Sequence, residues 1–316
     1  VLMGTAAEGA AGSYSLTASA LLDGAYSVTA VATDASGNES AASAAQSFTI
    51  DTVAPEVPQI TSGVLTNDAT PVITGTAQVG ATVSVTVAGK TYTVTASDGT
   101  WSVDTGAASG TGTSTFTANG SNAVSVTATD AAGNESAAAT QTLVVDTTLP
   151  TVAITDNQEG TANGQIIYTF TFSESVSGFT ADDVTVGNGT KGLFTQVSAS
   201  VYQLEVTPDA GEAGDVTVDV AGAVAVDGAG NSNSAATQSV QAFDTLAPNA
   251  PVVSALASVT NDATPTITVT AEAGSTVKVY ANGVLLGEAA ESGTTGGFTL
   301  TTAALLDGSY SVTATA

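Results

Sequence analysis

The chain has 316 residues, 29 of them acidic and only 3 basic, giving a formal net charge of −26, and it holds neither His nor Cys. That balance argues against nucleic acid, which is bound through Lys and Arg, and against anionic membrane surfaces. It leaves a self-repelling solvated chain or one that recruits cations. Without Cys there are no disulfides, and no apolar run reaches the 18 residues of a spanning helix, so direct membrane insertion is not expected. The chain opens at Val1 with no signal segment, so it reads as a piece of something longer.

Residues 1–50 read as the C-terminal half of a β domain. Tyr14, Leu16 and Ala18 alternate with Ser15 and Thr17, and Leu22-Asp23-Gly24 turns into the alternating run Ala25–Ala30. Tyr26, at the start of a late strand, matches the tyrosine-corner position of Ig-like sandwiches, or is an ordinary half-buried Tyr. Residues 51–146 make a complete unit of about seven short strands. These include a strand from Val72 that breaks at Gly75, the alternating Val83, Val85 and Val87, a strand carrying Trp101 and Val103, and closing runs through Val126 and Val145. Residues 147–244 make a second complete unit of a different subtype, with Tyr168, Phe170 and Phe172 alternating. Its Asp182-Asp183 pair reads as a solvated strand edge. Residues 245–316 restart the first subtype and stop before its last loop and strand. The fold class is all-β: tandem Ig-like antiparallel β-sandwiches in an elongated array.

The array is marked by a loop and a linker. Asp-x-x-Gly-Asn occurs at 34–38, 130–134 and 227–231, in steps of 96 and 97 residues, and Asp-Thr-x-x-Pro follows each at 51–55, 146–150 and 244–248. On a seven-strand sandwich, the loop between the last two strands lies beside the preceding linker. The Asn67-Asp68 loop lies at the opposite pole, near the next one. The first junction then gathers Asp51, Asp130 and Asn134. The second gathers Asp68, Asp146, Asp227 and Asn231, with Glu174 from the loop after Phe172. Only Asp244 is assigned to the third, and Asp34 with Asn38, in the first copy of the loop, are counted among the candidate metal ligands as well. Two carboxylates about 5 Å apart repel by roughly 3 kcal/mol at an effective dielectric near 20, and a hard divalent cation removes that penalty. Asp, Asn and backbone oxygens suit Ca2+, whereas Zn2+ and copper prefer the absent His and Cys, and Mg2+ asks for a stricter octahedron. The plainer reading is a hairpin turn, with Asp and Asn capping and Gly supplying positive φ.

These residues carry a resemblance. Thr-Asn-Asp-Ala-Thr-Pro (66–71, 260–265), Leu-Asp-Gly-x-Tyr-Ser-Val-Thr-Ala (22–30, 306–314) and the loop and linker motifs resemble the bacterial Ig-like repeats of giant RTX and biofilm-associated surface adhesins. Phe170-Thr171-Phe172-Ser173-Glu174, with Phe179–Val184, is similar to a sister subtype in such proteins. The resemblance implies an extracellular location on the bacterial cell surface, Ca2+ at domain junctions, and a stalk that supports cell adhesion or biofilm formation. Its partners would be the neighbouring Ig-like repeats of one monomeric chain. Departures are Asn122 in the place of Tyr26, and Ser232 where Glu39 and Glu135 stand. A glycan- or protein-binding module is the alternative and would need an exposed platform among Trp101, Tyr92, Tyr202 and Tyr280. Without His, Cys or Arg, most acid–base and nucleophilic constellations are unavailable to an enzyme. A Lys–Asn cross-link at Lys90 or Lys278 has no specific support.

Overall fold

The computed structural model describes residues 1–10, 12–106 and 109–316. Among them strands dominate, and the one helical segment is a 3-10 turn at Ala181–Asp183. They form two compact units. One comprises Val1–Thr151 with Ser173–Phe179 and Gly222–Ser234, and the other Val152–Phe172, Thr180–Ala221 and Ala235–Ala316.

The first unit opens with β1 (Ala7–Glu8) and β2 (Tyr14–Ser15), then β3 (Gly24–Val28) and β4 (Gln46–Ile50). The alternating strand expected over Tyr14–Ala18 shrinks to a two-residue pairing, and Tyr14 and Leu16 are exposed. Among the described residues these side chains find no covering layer, so alternation alone does not sustain a strand. β3 and β4 form an antiparallel pair in which Tyr26 stacks on Phe48, ring centroids 5.6 Å apart. The Tyr26 hydroxyl donates to the Leu22 carbonyl at 2.8 Å, and Tyr310 repeats the bond to Leu306 at 3.0 Å, which is the tyrosine-corner geometry. Asn122, in the place of Tyr26, is buried and performs the same backward tether by other means. It accepts from the Thr117 N–H at 2.8 Å and donates to the Thr117 carbonyl at 2.9 Å.

Eight strands follow where about seven were expected: β5 (Gln59–Ile60), β6 (Leu65–Thr66), β7 (Val72–Thr76), β8 (Thr82–Val87), β9 (Lys90–Thr95), β10 (Thr100–Asp104), β11 (Gly120–Thr129) and β12 (Ala139–Val145). The extra one arises because the opening strand is shared between layers. β5 pairs antiparallel with β7, and β6 pairs parallel with β12. One layer runs β10-β7-β5 and the other β6-β12-β11-β8-β9. Val83, Val85, Val87, Val124, Val126, Leu143 and Val145 face Ile73, Trp101 and Val103 across a shared apolar core, each strand giving every second side chain to it.

The expected break at Gly75 does not occur; β7 runs through it. Gly75 stands directly opposite Trp101 in the ladder, and a Cβ there would overlap both the Trp101 ring and the Gln59 carbonyl. The glycine is there for close approach of a ring, and not to end the strand. Of the four rings considered as a binding platform, Trp101, Tyr92 and Tyr202 are buried and Tyr280 is partly so.

The second unit contains β13 (Val152–Asp156), β14 (Ile166–Phe172), β15 (Val184–Gly187), β16 (Gly189–Gln196), β17 (Val201–Pro208), β18 (Ala213–Val220) and β19 (Ser239–Asp244). They make sheets of order β13-β14-β17-β16 and β15-β18-β19, with Tyr168, Phe170, Leu204, Val216 and Val218 fully buried. Ala162 bridges Phe243 in parallel, the counterpart of the β6–β12 pairing. Asp182 and Asp183 are not a strand edge. They lie in the 3-10 turn, where the Asp183 carboxylate accepts from both the Thr180 N–H and its hydroxyl at 2.8 Å. The unit closes with β20 (Val252–Val253), β21 (Thr266–Thr270), β22 (Val277–Ala281), β23 (Val284–Glu291), β24 (Gly297–Thr301) and β25 (Val312–Thr315). β23 pairs first with β22 and then with β24, so it passes from one layer to the other around a core of Ile267, Val269, Val277, Val279 and Phe298.

The protein is all-β, a tandem set of Ig-like sandwiches. No helix among the described residues is long and apolar enough to cross a membrane.

Candidate metal centre

Each Asp-x-x-Gly-Asn loop closes on its own aspartate. Asp227 Oδ1 accepts the backbone N–H groups of Ala229 at 2.8 Å, Gly230 at 2.7 Å and Asn231 at 2.9 Å, while Oδ2 accepts from Asn231 Nδ2 at 2.8 Å. Asp130 does the same with Ala132, Gly133 and Asn134 at 2.8–2.9 Å. Asp34 accepts from Ser36, and from both the backbone and the side chain of Asn38, at 2.9–3.0 Å. Three N–H groups can aim at one oxygen because the chain turns left-handed at the glycine, with φ of 96° at both Gly133 and Gly230. The plain hairpin-turn reading of the motif is therefore realised in every copy. In Asp34 and Asp130, hydrogen bonds led by the Asn side chain hold the carboxyl below the usual carboxylate range. In Asp227 burial pushes the carboxyl up, but the bonds from Asn231 and the loop backbone outweigh it and the net shift is downward. Oδ1 of each Asp is committed to its turn. Oδ2 carries one donor and retains capacity for another partner.

One loop is joined by other carboxylates. A carboxylate oxygen from each of Asp146, Glu174 and Asp227 lies within 4.8 Å of the others. Asp227 is buried and the other two are half-buried. Asp146 is placed by the end of β12, where its N–H donates to the Thr66 carbonyl at 2.9 Å. Glu174 sits two residues past β14. Its loop is pinned to the linker by the Ser173 N–H donating to Thr151 at 2.9 Å, and to the Asp227 loop by paired Ser177–Val226 bonds of 2.8 and 3.0 Å. Burial, followed by the charges of Asp227 and Asp146, raises the Glu174 carboxyl above the usual range. Three negative groups at this spacing repel by about 3 kcal/mol per pair at an effective dielectric near 20. The donor set is entirely hard oxygen, which fits a divalent cation of the Ca2+ type.

The remaining predicted ligands lie elsewhere. Asp68 is outside the group. Its carboxylate turns back to accept the Thr70 N–H at 2.8 Å within its own loop, and Asn67 is the residue of that loop that faces Gly230. Asn231 borders the group through its amide nitrogen. At the first junction Asn134 Nδ2 donates to the Asp51 carbonyl at 3.1 Å, but no third acidic side chain joins Asp51 and Asp130 among the described residues. The residue two past β7, the counterpart of Glu174, is the neutral Gln78. Asp34 and Asn38 satisfy one another. Asp244 accepts the Leu246 N–H at 2.9 Å and belongs to no acidic group. Glu39, Glu135 and Ser232 share a single backbone-bridge position, to Thr33, Thr129 and Val226, so Ser232 keeps the pairing that the two Glu residues make.

The sequence reading missed a second set of contacts on the linker. Thr147 donates through its N–H and its hydroxyl to Asn119 Oδ1, at 2.7 and 2.8 Å. Thr52 does the same to Asp23 Oδ1, at 3.2 and 2.9 Å. Thr245 is held by the carbonyls of Glu212 and Asp209. The signal was present: Asp23-Gly24 and Asn119-Gly120 stand 96 residues apart, one period of the array.

Two family models described as bacterial Ig-like domain match the chain, one over residues 146–243 and the other over 2–52, 60–147 and 252–316. The chain belongs to the bacterial Ig-like domain family. No curated protein matches it. Among solved structures, the central fibronectin-III array of RIM-binding protein is similar at 15% identity and a TM-score of 0.20, over 80% of this chain and 87% of that one. Chitinase ChiA74 from Bacillus thuringiensis is similar at 13% identity and a TM-score of 0.20, over 58% of this chain and 28% of that one. At that level neither likeness bears on function.

Proposed function

We propose that this chain is a spacer region of a bacterial cell-surface adhesin, acting as a stalk for adhesion or biofilm formation, with Ca2+ at Asp146, Glu174 and Asp227 stiffening the linker. The observation that carries the reading is the convergence of three carboxylates beside a short linker. The family match supports a repeat protein of the bacterial surface, of a domain type that is typically non-catalytic; its partners in this reading are the neighbouring repeats. Extracellular Ca2+ modules bind with Kd on the order of 10⁻⁴–10⁻³ M. The ion then adds stiffness to the linker outside the cell, where it is abundant. The alternative of a glycan- or protein-binding module loses its aromatic platform, because Trp101, Tyr92 and Tyr202 face the cores.

Calorimetric titration of the full chain with Ca2+ tests the site. Glu174→Gln is expected to weaken binding at least tenfold, since it removes one of three charges and leaves the loop intact. At a hundredfold excess over Kd the ion should add about 2.7 kcal/mol to the stability of the region it binds. Small-angle scattering should show a longer maximum dimension with Ca2+ than with chelator. Equal affinity in Glu174→Gln, or scattering and melting that ignore the ion, removes the proposal.

A further inference from the structure

Two consecutive residues of the first and second linkers are each gripped by a side chain, one from either flanking sandwich. The Asp146 carbonyl accepts from Asn231 Nδ2 at 2.7 Å, while the next residue, Thr147, is bound through both its N–H and its hydroxyl to Asn119 Oδ1. Asn119 directly precedes β11 of the sandwich before the linker, and Asn231 closes a loop of the sandwich after it. The first linker repeats the arrangement, with Asn134 on the Asp51 carbonyl and Asp23 on Thr52. None of these bonds needs an ion, and the grip is complete at the first linker, where no third carboxylate gathers.

We infer that the Asp-Thr dipeptide is a cation-independent latch, fastened by a side chain from each flanking sandwich, with Asn119 and Asn231 as its positioning residues. Directional evidence comes from what replaces what. Asn119 stands where the first copy has Asp23, and both present Oδ1 as an acceptor for the same two donors of Thr. The position therefore requires an oxygen and does not require a charge. Asn134 and Asn231 must remain amides, because each donates from Nδ2 to a carbonyl and to a carboxylate at once, which an Asp cannot do. Latch and ion both bear on the order of the second linker, and the measurement below separates them.

The chain has no Cys, so nitroxide labels at Ser102→Cys and Thr185→Cys, both exposed strand positions in successive sandwiches, report on the second linker by double electron–electron resonance. In chelator the wild-type chain is expected to give one narrow distance distribution. Asn119→Ala should at least double its width and speed amide exchange at Thr147 about tenfold or more, and Asn119→Asp should restore both. Asn231→Asp should broaden the distribution although it preserves side-chain volume. A wild-type distribution that is broad in chelator and narrows with Ca2+ overturns the latch and leaves the cation reading standing. One that is narrow in chelator supports the latch; further narrowing with Ca2+ leaves the stiffening role of the ion standing as well, and no change with Ca2+ removes that role. An Asn119→Ala chain indistinguishable from wild type also overturns the latch.

Discussion

Gly75→Ala should strongly destabilise the 51–146 sandwich. The added Cβ has no free direction, because the Gln59 carbonyl approaches from one neighbouring strand and the Trp101 ring lies over the position from the other. Neither obstacle is the loose end of a flexible side chain. Relief requires the ring to leave the core or β5 to leave β7. Overpacking of this kind costs on the order of 3 kcal/mol when the backbone can shift. Here the loss of Trp101 packing is added to it, for a total of about 4 kcal/mol or more. For a domain of this size each kcal/mol lowers Tm by roughly 4–8 °C, so a fall of at least about 15 °C is expected. Trp101 is the only Trp in the chain, so its fluorescence follows this sandwich alone. A calorimetric transition for residues 147–244 should move far less. Wild-type melting in Gly75→Ala would mean that the ring does not lie on β7.

Asp227→Ala carries the second large effect, because one buried carboxylate satisfies three backbone N–H groups and the buried Asn231 side chain. Removing it leaves those donors without their acceptor, a loss on the order of 2–4 kcal/mol. The same substitution at Asp34, on the exposed copy of the loop, should have a much smaller effect. The acid limb of stability carries the signature of the site. Asp227 has a folded pKa below its ordinary 3.8, so its contribution is present above that value and lost as pH falls through the folded pKa. Glu174 has a folded pKa above its ordinary 4.5, so its charge opposes folding at neutral pH. Protonation relieves that opposition as pH falls from the folded pKa toward 4.5. In chelator, stability should therefore rise on mild acidification and then fall below about pH 4. Saturating Ca2+ should abolish the rise, because the ion already neutralises the repulsion, and Glu174→Gln should abolish it without the ion. Chemical denaturation between pH 3 and 7 measures both arms.

The period of the array, the strands and the poles were legible because they are local. Val83, Val85 and Val87 alternate, and the Asp-x-x-Gly-Asn turn needs only its own five residues. What failed was non-local or directional. Gly75 read as a break because nothing near it in sequence announces Trp101, 26 residues on in the facing strand. Asp68 and Glu174 were both assigned to the second junction, yet an Asx turn folds the exposed Asp68 carboxylate back onto its own loop while pinned backbone presents Glu174 to its neighbours. Asn119 went unnoticed because a search for charge passes over an amide that acts through its oxygen.

The peptide bond between residues 146 and 147 has owners on both sides, Asn231 holding one flank and Asn119 the other. No excision point there yields two self-sufficient pieces, since each would lose a fastening that only its neighbour supplies. Energy is then stored in nearest-neighbour terms as well as in the modules themselves. Heat should melt long runs of such repeats more sharply than short ones, each added module bracing the last.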